Sequence, residues 1–281
     1  MRRGLILAAA LLASVPALAQ DHSHMGHAMP EAPAAPDTQT APPPVATDWA
    51  ADVLHDPKAM AEARAALFRA TRDSRASLVR LDQLEWRMHD GKDGLAWQGR
   101  AWTGGDLDRF LLRSEGAMEG GTVEHGEVRA LWSHAIGPYA NLETGVRQDF
   151  GHGPSRTHAT LGVDAMLPYW IEAEGAVFLS HKGDVTARVE LTHDMRLTNR
   201  LILQPRLEAD LSAQDVPELG LGSGISEMSG GLRLRYAIKP RFAPYVGVHR
   251  ERKFGDTARF ARAAGEGTAA TSFVAGMFLF F

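Results

Sequence analysis

The chain has 281 residues, 44% hydrophobic content, no cysteine and a formal net charge of −4 at pH 7. Without cysteine there are no disulfides and no thiolate metal ligands, and so mild an acidity gives no reason to expect a nucleic-acid partner. Beyond the N-terminus no segment offers the roughly 18 consecutive apolar residues of a transmembrane helix, whereas a mean hydropathy of −0.20 suits a transmembrane β-barrel, whose signal per strand is weak.

Residues 1–19 read as a secretory signal. Arg2 and Arg3 form a charged start, Leu5 to Leu12 an apolar stretch, and Ala17-Leu18-Ala19 a small-residue cleavage site. The mature chain then starts at Gln20, and losing the two arginines moves the net charge from −4 to −6. Residues 20–47 form a low-complexity tail. It opens on His22-Ser23-His24-Met25-Gly26-His27-Ala28-Met29 and continues in Pro, Ala and Thr. The second part predicts an extended, disordered tether. Residues 48–75 carry a helix over 56–71, with Asp56 as N-cap and Pro57 at the first helical position. Met60, Leu67 and Phe68 fall near one face, which fits a helix folded on a barrel mouth and a bare surface helix equally.

From residue 78 to 281 apolar and polar residues alternate over short segments, the pattern of a strand with two different faces. Leu84-Glu85-Trp86-Arg87-Met88 alternates strictly; the runs around Val128 to Trp132, Leu142 to Arg147, Ile171 to Leu179, Val185 to Thr192, Leu201 to Leu211 and Leu232 to Ile238 alternate with single breaks. Twelve such segments predict an all-β fold, an antiparallel outer-membrane β-barrel of even strand number. Pro205 and Pro244 lie inside two segments and predict a bulge or strand end there, because proline donates no ladder hydrogen bond. Every second connection is tight: 103–106, 137–138, the turn at Pro168, 197–200 and 239–241. The others, 89–94, 119–125, 151–155, 181–184, 212–226 and 250–268, include long ones. Such alternation is expected of periplasmic turns and outer loops, and it places His125, His152 and His181 near the outer mouth. The last segment runs Phe273, Ala275, Met277, Leu279, Phe281 on one face and ends the chain on an aromatic carboxyl terminus.

With the apolar faces on lipid, the interior carries both signs of charge: Glu85, Arg87, Arg100, Glu115, Arg129, Arg147, Arg188, Glu190, Arg206, Glu208, Arg233 and Arg235, joined by Arg113, Glu127, Glu143, Asp164, Glu172 and Glu174. Buried charges persist when paired. A salt-bridge lattice filling a narrow barrel and a polar path for a small ion both fit this set. A wide open pore does not, since side chains largely fill an interior of this size.

His22, His24, Met25, His27 and Met29 place three imidazoles and two thioethers within eight residues. Imidazole suits copper, zinc and nickel, and thioether favours Cu(I). The mixed set points to a copper ion, Cu(I) or Cu(II), although a general His-rich metal sponge shares the composition. Catalysis finds weak support. Asp194 beside His193, and Asp149 near His152, are the nearest acid–base pairs, and strand neighbours point to opposite faces.

The chain resembles the copper resistance protein B family (CopB/PcoB) of outer-membrane proteins. The resemblance rests on Leu84-Glu85-Trp86-Arg87, Thr103-Gly104-Gly105-Asp106, Ser114-Glu115-Gly116, Gly145 to Phe150, Pro168-Tyr169-Trp170, Leu201 to Arg206, Gly231 to Tyr236, Phe242-Ala243-Pro244-Tyr245 and Lys253 to Ala258, in order over 78–281. It implies a non-enzymatic copper-handling role in the outer membrane of a Gram-negative bacterium. Copper ions, outer-membrane lipid and periplasmic copper proteins of the same resistance system would be the partners, with the tail in the periplasm. The tail is similar to the family's metal-rich N-terminal region but shorter. A general porin-like or structural barrel without metal specificity is the alternative.

Overall fold

The computed structural model describes residues 50–72, 75–89 and 92–281. The predicted signal and the His/Met tail lie outside them. A first unit ends at Asp56, and a second runs from Pro57 to Phe281. In the first, Ala50–Val53 forms a 3-10 turn. The second opens with α1 (Pro57–Arg72), close to the helix expected from Asp56-Pro57. Leu67 and Phe68 on it are exposed.

The strands follow as β1 (Ala76–His89), β2 (Lys92–Gly104), β3 (Asp108–Glu119), β4 (Thr122–Gly137), β5 (Ala140–Gly151), β6 (Thr157–Leu167) and β7 (Ile171–Ser180). Then come β8 (Val185–His193), β9 (Met195–Arg196), β10 (Leu201–Ser212), β11 (Gly224–Tyr236), β12 (Phe242–Lys253), α2 (Gly255–Ala263) and β13 (Ala269–Phe280). Segments β8 and β9 pair with successive stretches of β10 and are one strand interrupted at Asp194. Thirteen segments therefore make twelve strands. Each pairs antiparallel with its neighbours, and β13 pairs with β1 to close the barrel. The last residue seals the seam: Phe281 donates to the Val79 carbonyl at 2.8 Å and accepts from the Val79 amide at 3.1 Å. Closure leaves no strand edge unpaired, the condition for crossing hydrocarbon.

The two faces sort as the alternation expects. Phe110, Trp132, Val146, Leu161, Val246 and Phe273 point outward and are exposed, while Glu85, Arg113, Glu127, Arg129, Arg233 and Arg235 are buried inside. An apolar exterior around a charged interior inverts the plan of a water-soluble protein and suits a barrel set in lipid. Among the described residues no helix is long and apolar enough to cross a membrane, so strands make the crossing.

One end of the barrel carries only short turns, at 105–107, 138–139, 168–170, 197–200 and 237–241. In the third of these Tyr169 (φ 65°) and Trp170 (φ 61°) both adopt the left-handed region, a strained pair for residues with a Cβ. The other end carries the long connections, 213–223 and 254–268, the latter containing α2. Two expected outer loops are shorter than predicted. Instead of a loop over 119–125, β3 and β4 turn on Gly120 (φ 58°) and Gly121 (φ 83°); both central residues of this tight hairpin need positive φ. Likewise β1 and β2 pair out to His89 and Lys92, so residues 89 and 92–94 of the expected 89–94 loop belong to strands. Alternation is invisible where a turn residue and a strand end look alike, so the sequence pattern understates the strands of both hairpins.

The prolines also behave differently from expectation. Pro205 keeps its register against Leu232 on β11, and the break falls on the partner instead, at Asp194 between β8 and β9. Pro244 stays in register with Met277 and lies just past the last β11–β12 pair, Arg235 with Tyr245. In both cases one ladder is interrupted beside the proline while the other continues in register. The actual register shifts lie near Asp82, Glu124, Ile136 and Ser226.

Candidate functional site

The five candidate metal ligands of the tail, His22, His24, Met25, His27 and Met29, lie outside the described residues. Among the described residues, no group of three or more His, Asp or Glu side chains is placed to hold a metal ion. The site the structure does display is the lumen.

Alternation puts every second residue inside, and register then decides which charges meet. Glu85 on β1 is fully buried and receives Arg233 from β11 in a two-pronged contact, Nε to Oε2 and Nη2 to Oε1, both 2.9 Å. Arg87 Nε donates to the same carboxylate at 2.9 Å and the Tyr245 hydroxyl at 3.1 Å. Gly276 makes this possible. A Cβ there would stand 2.7 Å from the Tyr245 ring and hydroxyl, so glycine lets the ring lie flat on β13 and reach Glu85.

A second knot spans β3 to β7. Arg113 reaches Glu143 at 2.7 Å and Asp164 at 3.0 Å, and also pairs with Glu174, which Arg129 meets at 2.7 Å. Arg147 binds Glu127 at 2.8 Å and Asp149 at 2.6 Å. Arg188 crosses from β8 to Glu115 on β3 and holds Asp210 at 2.8 Å. Arg206 bridges Glu190 at 2.9 Å and Glu208 at 2.8 Å, and Gln98 on β2 reaches Glu190 at 3.3 Å from the opposite wall. Arg100 rests between Asp82 at 3.2 Å and Asp164 at 3.7 Å. Arg235 pairs with Asp194, the residue that interrupts β8/β9. Each buried guanidinium thus finds carboxylates, the condition for keeping charge in a low-dielectric interior.

The register arranges these charges by sign. Arg80, Arg100, Arg113, Arg129 and Arg147 are successive cross-strand partners along β1 to β5. Asp164, Glu174, Glu190, Glu208, Ser229 and Glu251 are successive partners along β6 to β12. Like charges directly opposite one another repel; Arg100, Arg113 and Arg129 answer Asp164 and Glu174 across the lumen, while Arg147 pairs with Glu127 and Asp149 on its own wall and Glu190 and Glu208 pair with Arg206 on theirs.

Two cavities flank the contact between the ladders. One, of about 400 Å³, lies at the short-turn end among Arg80, Arg100, Arg113, Glu143, Asp164 and Trp170. The other, of about 760 Å³, lies at the long-loop end and includes Arg147, Glu208, Glu251, His125, His152 and His249. They share no lining residue, and Arg129, Glu174 and Glu190 line neither.

The long loops are tied together at their end. Arg156, 1% exposed, pairs with Asp184 and donates to Glu218 at 2.8 Å. Lys182 donates to the same Glu218 oxygen at 3.0 Å; that hydrogen bond and charge hold the exposed Glu218 carboxyl below the usual carboxylate range. The Gly222 amide donates to Thr257 Oγ1 at 2.8 Å, locking the 213–223 loop to α2. Sequence periodicity missed Arg156, which sits in a connection, and Tyr245, whose apolar ring reads as a lipid-facing residue. The weak acid–base pairs are dispersed: Asp194 accepts from Gln204 and Arg235, and His193 Nδ1 lies 3.2 Å from the Trp170 carbonyl.

The closed twelve-strand barrel with an apolar exterior and an ion-paired interior defines an outer-membrane β-barrel protein. The family model described as "Copper resistance protein B precursor (CopB)" matches residues 75–281. The chain is 42% identical over 204 residues to copper resistance protein B of Escherichia coli, covering 73% of this chain and 69% of that protein. It is 43% identical over 200 residues to a copper resistance protein B homolog of Pseudomonas syringae pv. tomato, covering 71% and 68%. The chain belongs to the copper resistance protein B family, and these relatives support a role in copper resistance. Among solved structures it is similar to the NanC porin, at 10% identity and TM-score 0.49 over 73% of this chain and 99% of that one. It is also similar to the KdgM porin, at 13% identity and TM-score 0.42 over 73% and 98%.

Proposed function

We propose that the protein handles copper at the outer membrane, with the tail ligands His22, His24, Met25, His27 and Met29 capturing the ion and the barrel anchoring them. The family match over the barrel carries this reading. It is supported by the tail, the densest run of imidazole and thioether groups in the chain. Imidazoles dominate for Cu(II) and thioethers gain weight for Cu(I). Copper is the cargo here, and the reading is non-enzymatic.

By the rule that barrel turns on the periplasmic side are short, the short-turn end faces the periplasm. The chain enters β1 at Ala76 from that end, since Ala76 pairs with Gly104 beside the 105–107 turn. The tail is then periplasmic, where copper proteins of the same resistance system would exchange the ion with it. The test is copper tolerance of cells carrying the full chain or a chain lacking residues 20–47. Lower tolerance without the tail, at equal barrel levels in the outer membrane, supports the reading. Equal tolerance overturns the assignment of the ligands.

A further inference from the structure

The buried arginines of the lumen find carboxylates; two arginines on the outside of the wall do not. On β12 the buried side chains Ala243, Tyr245 and His249 point inward, so the outward row runs Val246, Val248, Arg250 and Arg252. Both valines and both arginines are exposed. The neighbouring strand makes the same change at the same height: on β13 the exposed Phe273 stands opposite Val248, and Thr271 opposite Arg250. On β11 the exposed Leu232 stands opposite Val248, and Gly230 opposite Arg250. The outer surface thus turns from apolar to basic within one step of β12, at the end that carries the long connections. A charge on the lipid face of a barrel is costly at mid-membrane and tolerated near its rim. Arg250 therefore marks the edge of the hydrocarbon.

The nearby carboxylates are engaged elsewhere. Glu251 lies 3.7 Å from the buried His249, Lys253 holds Glu266 at 3.0 Å and Arg259 holds Asp256 at 3.4 Å. Among the described residues no carboxylate is within ion-pair distance of Arg250 or Arg252. The Arg252 guanidinium lies 5.3 Å from the centre of the Phe254 ring, which steadies it without neutralising its charge. Residues two apart on a strand are about 7 Å apart, so two long side chains can close on one phosphate. The planar guanidinium matches phosphate oxygens with paired donors, and the exposed Thr271 hydroxyl beside Arg250 offers one more. A Cβ on Gly230 would meet only ordinary contacts, at 3.8 and 3.9 Å. Packing does not demand glycine there, and its bareness leaves room beside Arg250.

We infer that Arg250 and Arg252, assisted by Thr271, form a binding site for a phosphorylated lipid of the outer leaflet, taking the headgroup phosphate of lipid A. Its acyl chains would lie against Val246, Val248 and Phe273, directly below the arginines. The inference rests on the reading that the long-loop end faces outward, and not on copper capture by the tail.

The test is native mass spectrometry of the full chain in detergent, with bis-phosphorylated lipid A, the same lipid after dephosphorylation, phosphatidylglycerol and inorganic phosphate as probes. The wild type is expected to retain lipid A and to lose the dephosphorylated form. Arg250→Gln and Arg252→Gln should each weaken retention about tenfold, the factor for one lost hydrogen bond to a charged group. Arg250→Lys keeps the charge, loses the fork and should fall between. Both positions point away from the lumen, so the gel shift on heating should persist. Equal retention of lipid A by the glutamine variants, or of both lipid A forms by the wild type, overturns the site. Equal retention of phosphatidylglycerol, or displacement of lipid A by inorganic phosphate, overturns lipid A as the occupant. If the variants fail to fold, the two lipid A forms compared on the wild type still decide. Orientation is read separately. Arg259→Cys places the chain's single cysteine at a side chain that is 64% exposed on α2, and it should react with an impermeant maleimide on intact cells. No reaction overturns the outward reading of the long-loop end, whatever the lipids do.

Discussion

Replacing Arg233 by Leu removes the guanidinium that donates twice to Glu85 and once to Gln83, at 2.9, 2.9 and 3.2 Å. Both Arg233 and Glu85 are buried, at 1% and 0% exposure, so the surviving carboxylate stays inside with less compensation. Breaking a buried pair from one side costs about 3–5 kcal/mol. Glu85 keeps Arg87 at 2.9 Å and Tyr245 at 3.1 Å, which puts the expectation at the lower end, about 3 kcal/mol, or two orders of magnitude in the unfolding equilibrium. Arg233→Lys keeps the charge and loses the fork, and should cost about half as much. Adding Glu85→Gln to Arg233→Leu neutralises the orphan and should return about 1 kcal/mol or more, a coupling that only residues in contact show. The assay is urea unfolding of the refolded barrel in lipid vesicles, followed by tryptophan fluorescence and by the gel shift on heating. Arg233→Leu within about 0.5 kcal/mol of wild type would refute the pairing, because it would mean that Arg233 is hydrated and the register is off by one residue.

Three further outcomes follow from the same geometry. Gly276→Val should destabilise the barrel by about 1–3 kcal/mol and free the Tyr245 hydroxyl from Glu85, read as a shifted tyrosine absorbance titration. Glu218→Gln should expose the 213–223 loop to protease on intact cells. In the wild type Glu218 has a depressed pKa in the folded state, so its tie is present above the ordinary carboxylate range, about pH 4.3, and is lost as pH falls through the lower folded value; cleavage that ignores both the substitution and acid would contradict the latch. Changing His22, His24 and His27 to Ala should abolish Cu(II) binding by the tail, while changing Met25 and Met29 should mainly weaken Cu(I). Tail affinity for Cu(II) should fall as pH drops from about 7 to about 5, because the ligands bind as neutral imidazoles with an ordinary pKa of about 6.5.

Strand identity was legible because lipid and lumen impose opposite demands on successive residues: Leu84 to Met88 satisfies them without exception, and Ile171 to Gly175 does so before Ala176 and Phe178 turn apolar side chains inward. The side on which long connections fall was legible for the same reason that turn residues are: Gly, Pro and Asp mark where alternation stops. Partnership across the lumen was not legible. That Arg188 meets Glu115 and Gln98 meets Glu190 depends on the shear and tilt of the closed sheet, which no local window contains. The two ladders became visible only once register was known; most of their members stood in the interior set read from alternation, but Arg80 did not, and Glu251 fell in the connection expected over 250–268 whereas β12 runs to Lys253. Arg156 escaped because a connection has no period, and Tyr245 because its hydroxyl is hidden behind an apolar ring until Gly276 makes room.

The most direct measurement of the central claim is the copper content and copper titration of the refolded mature protein with and without residues 20–47. The account predicts that the full chain binds copper, that the chain beginning at residue 48 loses that binding, and that both show the same gel shift on heating. Full copper binding by the shortened chain would contradict it, and would move the ligands to the histidines and methionines of the barrel.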